Sequence, residues 1–77
     1  MPVINTETIE FLRKLKLHFE NLVIRAWTGR DSVMVAVCDG HQPLRAWPVR
    51  SLDAARSVAY TLSFKTDLEV AGLESNL

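Results

Sequence analysis

The sequence predicts a two-layer α+β fold of order α-β-β-β-α, an antiparallel three-stranded meander with both helices on one face. Three observations predict it. Two segments, residues 6–19 and 51–65, carry apolar side chains at helical spacing. The stretch between them holds three runs rich in β-branched and aromatic residues, separated by turn signals. Pairing those runs through two-residue loops sorts their side chains into one uniformly apolar face and one mixed face.

Asn5 or Thr6 can cap the first helix, which the spacing of Ile9, Leu12, Leu15 and Phe19, with Phe11 beside them, extends from about Thr6 to Phe19. Glu7 and Glu10 early and Arg13, Lys14 and Lys16 late suit its dipole. The strands are NLVIRAWT, SVMVAVCD and QPLRAWPV, with Gly29-Arg30-Asp31 and Asp39-Gly40-His41 as the turns. Ser51 opens a second helix whose Leu52, Ala55, Val58 or Ala59, and Leu62 mark a buried stripe to about Lys65. Thr66-Asp67 can cap one further turn before an acidic tail. The expected domain is 1–77, frayed over residues 1–5 and from about 70 to 77.

An Arg30-Asp31 loop sets Trp27 opposite Met34, Ala26 opposite Val35, Arg25 opposite Ala36 and Ile24 opposite Val37. A Gly40-His41 loop sets Met34 opposite Trp47, Val35 opposite Ala46, Ala36 opposite Arg45 and Val37 opposite Leu44. One face then holds Ile24, Ala26, Val33, Val35, Val37, Leu44 and Ala46, apolar and small enough to receive two helices. The other holds Arg25, Trp27, Met34, Ala36, Cys38, Arg45 and Trp47. Placing the second turn at Asp39-Gly40 instead slides the third strand by two and keeps the same faces, whereas a loop of three residues would swap them.

That register accounts for an echo in the sequence. IRAWTGR (24–30) and LRAWPVR (44–50) contain both tryptophans and four of the nine Lys/Arg. As the outer strands they build a row Trp27–Met34–Trp47 beside a row Arg25–Ala36–Arg45. Trp and Arg are enriched at binding hot spots, and Met adapts its shape to a partner. An open patch of this composition is more than a monomer ordinarily exposes. Arg25, Trp27, Met34, Arg45 and Trp47 are therefore the expected partner-binding residues, with a protein partner or a second copy as the occupant. Stacking of Arg on Trp merely to shield the outer face is the plainer reading of the same residues.

The bulk composition agrees with a small binding module. At 77 residues there is room for one domain, which buries only about 60% of its unfolded surface. Cys38 is alone and no Cys/His cluster has metal-ligand spacing, so self-association is the remaining common source of stability. Net charge is zero. Residues 13–50 hold seven Lys/Arg against Glu20, Asp31 and Asp39, while Asp67, Glu69 and Glu74 close the chain. This lacks the basic excess of a nucleic-acid binder. The opening MPVINTETIEF has no basic n-region or long apolar run, so the expectation is a cytoplasmic protein without signal peptide or membrane segment.

No phosphate-cradling loop, nucleophile elbow or zinc spacing is present. Cys38, His18 and His41 have no acidic or Cys partner nearby in sequence, and Asp31, Asp39 and Asp53 suit turns and helix starts. No catalytic residue, metal or cofactor is expected.

The α-β-β-β-α order and the length resemble the double-stranded-RNA-binding domain. The resemblance is one of layout. Where that family opens its second helix with KKxAK, this chain has Ser51-Leu52-Asp53-Ala54-Ala55-Arg56; in place of its Gly-Pro-x-His loop stands Thr28-Gly29-Arg30-Asp31. The second function class is accordingly nucleic-acid binding by the mixed sheet face, with Trp27 and Trp47 as stacking platforms and Arg25, Arg45, Arg30 and Arg50 on phosphates. The first is a non-catalytic protein-binding module (adaptor, inhibitor or accessory protein), homodimeric in its expected form.

Overall fold

The computed structural model describes residues 3–74. Its elements are α1 (Thr6–Lys16), β1 (Leu22–Thr28), β2 (Val33–Asp39), β3 (Gln42–Val49), α2 (Leu52–Thr66) and β4 (Glu69–Glu74). Two helices accompany a four-stranded mixed sheet of order β3-β2-β1-β4, in which β4 runs parallel to β1. The three predicted strands form the expected meander. The fourth corrects the three-stranded prediction and also departs from the layout of the RNA-binding family.

Asn5 caps α1, its side chain accepting from the Thr8 N–H at 2.8 Å. The helix stops at Lys16, before the predicted Phe19, because the chain must turn through Leu17 and His18 to enter β1. Phe19 still packs against the core. Ser51 caps α2, accepting from the Ala54 N–H at 3.1 Å. At the other end Asp67 takes a left-handed conformation, φ 59°, and its N–H closes on the Ser63 carbonyl. Asp is among the few non-Gly residues that visit this region routinely.

Instead of a further capped turn and a tail, the chain leaves Asp67 straight into Leu68, which is buried, and then β4. At the start, Val3 and Ile4 pack against the core, and Asn5 is the cap. Residues 1–2 and 75–77 of the expected frayed ends lie outside the described residues.

The core is Leu12 from α1, Ala55, Ala59 and Leu62 from α2, and Ile24, Ala26, Val35 and Val37 from the sheet, with Leu22 and Leu68. The helices contribute unequally, which refines the expectation that both lie on the sheet. α2 crosses from β3 at one edge to β4 at the other and approaches all four strands, Ala55 and Ala59 letting its backbone come close. The close backbone approach of α1 is to α2. Side chains fasten the helix ends together. Arg13 donates to the Lys65 carbonyl at 3.3 Å and Lys16 to the Thr66 carbonyl at 2.9 Å. The last carbonyls of a helix lack intrahelical donors and carry partial negative charge. Two cations placed for the dipole of α1 thus also serve that of α2.

The first hairpin has the predicted register: Trp27↔Met34, Ala26↔Val35, Arg25↔Ala36 and Ile24↔Val37. In the second, Gly40 takes φ +63° at the first central position of the two-residue loop, where type II′ turns place glycine. Asp39↔Gln42 and Cys38↔Pro43 follow as predicted. A β-bulge then leaves Leu44 without a partner, and the pairs become Val37↔Arg45, Ala36↔Ala46, Val35↔Trp47, Met34↔Pro48 and Val33↔Val49. The extra residue reverses the faces of everything beyond it.

Burial supplies the physical reason. The unbulged register would turn Ala46 and Pro48 inward and leave Trp47 and Val49 in solvent. The bulged one packs Trp47 and Val49 against the core, more apolar area for the same length of strand.

Candidate functional site

The bulge divides the predicted binding residues between two sides of the sheet. Arg25, Trp27 and Met34 lie on the side away from the core, with Val23, Ala36 and Cys38 of β1 and β2 and Ala46 and Pro48 of β3. Arg45 and Trp47 lie on the helix side. The row Trp27–Met34–Trp47 is therefore corrected to Trp27–Met34–Pro48, and Arg25–Ala36–Arg45 to Arg25–Ala36–Ala46. Nor is β1 an outer strand, since β4 flanks it.

On the open side, Arg25 does not project freely. Its Nε–H donates to the Gly40 carbonyl at 2.9 Å, reaching the tip of the second hairpin, and Gly40 in turn donates its N–H to the Asn21 carbonyl. Ala36 and Cys38 are almost wholly buried between half-buried neighbours, Val23, Arg25, Trp27 and Met34 among them. Burial pushes the Cys38 thiol up, against the opposing pull of Arg25. The raised value keeps it protonated, an unreactive packed thiol. The rest of this side is apolar over β1, β2 and β3, and Glu69 of β4, paired with Val23, brings an exposed carboxylate to its edge.

On the helix side, the Arg45 guanidinium lies 5.1 Å from the Phe11 ring centroid and 5.6 Å from that of Trp47. Both rings lie within cation–π range of this exposed side chain. It closes a groove of about 340 Å³ formed by Val3, Asn5, Glu7 and Thr8 at the start of α1 and by Arg45, Trp47 and Pro48 of β3. Sequence alone could not bring these together, because the bulge decides which way Arg45 points.

A second feature escaped the pattern reading. Tyr60 and Phe64, one helical turn apart on α2, are 56% and 86% exposed. The observed stripe Ala55, Ala59, Leu62 and Thr66 leaves both off the buried face, so the predicted stripe already contained that signal.

His18 and His41 are exposed, and among the described residues no three His, Cys, Asp or Glu side chains converge as a metal site would require. No helix of the described residues is long and apolar enough to cross a membrane. The chain matches no family model, no curated protein and no solved structure.

Proposed function

We propose that the protein is a small non-catalytic protein-binding module that pairs with a second copy of itself through the open side of its sheet. The observation that carries this reading is that side's composition: Val23, Trp27, Met34, Ala46 and Pro48 lie there with no helix over them, and the one Arg among them, Arg25, is turned onto a backbone carbonyl. Sheets with one apolar face bare are ordinarily covered by another layer.

Three considerations favour a second copy as that layer. Net charge is zero, so two copies do not repel. The molecule measures 33 × 25 × 17 Å, and a face of its two longer dimensions has the extent of the roughly 800 Å² per partner that a standard interface buries. Pairing along the β3 edge is disfavoured. Pro43 and Pro48 have no N–H to donate, and proline on an edge strand blunts it against strand addition. This favours contact face to face over pairing at that edge.

Joint stacking of bases by both tryptophans has lost its geometric support, since Trp27 and Trp47 occupy opposite sides. Sedimentation across concentration tests the dimer. The expected result is a dimer in the micromolar range, converted to monomer by Trp27→Ala with unchanged far-ultraviolet circular dichroism. An unmodified protein that remains monomeric at high micromolar concentration overturns the proposal.

A further inference from the structure

We infer that the groove between the start of α1 and β3 is a second binding site, for an acidic side chain flanked by apolar residues in a peptide segment of another protein. Arg45 and Trp47 lie on the opposite side of the sheet from the self-association surface, with Pro48 at the β3 edge shared between the two, and the inference stands whether or not the protein dimerises.

The argument starts from Arg45. Apart from its two ring contacts, it makes no hydrogen bond or ion pair among the described residues. Cation–π contact does not use up the guanidinium N–H donors, and these match a carboxylate with two parallel hydrogen bonds. Packing against Phe11 and Trp47 restrains the long side chain before any ligand arrives, which lowers the entropy lost on binding.

The rest of the groove narrows the ligand class. Val3, Trp47 and Pro48 offer apolar contact, and Glu7 adds a carboxylate on the α1 side, where Asn5 is engaged as the helix cap. A volume of about 340 Å³ is at the small end of ligand sites, enough for one or two side chains rather than a large cofactor. One cation with one acid beside it suits a monoanionic carboxylate. Glu7 repels any anion there, and a phosphate, carrying about −1.5 to −2 at neutral pH, more strongly than a carboxylate. A peptide N–H beside the carboxylate would instead have Glu7 as an acceptor.

Nuclear magnetic resonance of the full chain tests this. The readouts are the Arg45 Nε–H and the Trp47 indole N–H, with the Trp27 indole on the other side of the sheet as internal control. The probes are terminally blocked Leu-Glu-Leu, its Leu-Gln-Leu counterpart and inorganic phosphate. The acidic peptide should produce saturable shifts at Arg45 and Trp47, with a dissociation constant at least about tenfold lower than the neutral peptide's. Arg45→Gln should remove that difference while the Trp27 resonance stays in place, showing that the fold survives. Arg45→Lys, which keeps the charge but loses the planar fork, should retain only part of it.

Equal binding of the two peptides overturns the inference, and so does phosphate matching or exceeding the acidic peptide. Absence of saturable shifts at Arg45 and Trp47 up to about 10 mM acidic peptide overturns it as well.

Discussion

The two hairpins of this sheet share β2, have two-residue loops or nearly so, and each present Arg-Ala-Trp on their other strand, yet they turn that tripeptide in opposite directions. In β1, Arg25 and Trp27 face away from the core; in β3, Arg45 and Trp47 face toward the helices. The chemistry of the segments is the same, so the difference lies in one unpaired residue, Leu44. A strand's side-chain period is two, and a single inserted residue exchanges its faces completely. The consequence is two distinct surfaces where a straight register would have made one: an apolar sheet face around Trp27 and Met34, and a cation-bearing groove around Arg45 and Trp47.

Three substitutions and one deletion probe this difference. The largest effect is expected at Val35, which lies opposite Ala26 in one hairpin and Trp47 in the other and is fully buried. Val35→Asp places an unpaired charge at the junction of both, at a cost of several kcal/mol that a domain this small does not have to spare. Loss of helical and strand circular dichroism is the expected outcome. A folded variant would show that the two hairpins do not share this core position.

The next effects separate the two tryptophans themselves. Trp47→Ala removes a ring packed against the core and should cost about 2–4 kcal/mol. Trp27→Ala, measured at dilutions where the monomer prevails, should cost less than about 1 kcal/mol and act chiefly on self-association. Equal costs in the monomer would contradict the assignment of these side chains to different environments.

Deleting Leu44 is the matching control. Without the bulge residue, pairing continues from Cys38↔Pro43 straight to Val37↔Arg45, Ala36↔Ala46 and Val35↔Trp47, the partners these residues already have. Trp47 and Val49 should therefore stay against the core, with stability in urea titration changed by less than about 1 kcal/mol and tryptophan emission unchanged. Emission shifted toward that of exposed indole would mean that pairing with β2 does not set the side on which Trp47 lies.

Legibility followed the strength of the local signal. Asn5 and Ser51 were readable as caps because their side chains suit the unpaired N–H groups of a helix start. The first hairpin was readable because every pair in it agrees with one apolar and one mixed face. β4 was not. Glu69, Ala71 and Gly72 are poor strand residues, and the strand carries its own irregularity opposite Ile24 and Arg25. Only Leu68 and Val70 hint at its buried side. Of the predicted binding residues, Arg25, Trp27 and Met34 kept their common side, and Arg45 and Trp47 were carried to the other by a bulge that no turn residue announces.

The two helices, the three meander strands within a residue at each end, and the first hairpin with its register were legible from the sequence. Those depend on capping, side-chain period and turn chemistry, which act between residues close along the chain. The tertiary structure alone decided the parallel seat of β4 beside β1, the clasp of Arg13 and Lys16 on the end of α2, and the side on which Arg45 and Trp47 lie. Each of these is settled by a competition for burial or for unpaired carbonyls between segments distant in sequence. In β3 the gain from packing Trp47 and Val49 outweighed the loss of regular pairing at Leu44, a balance that exists only once α1, α2 and the sheet are assembled.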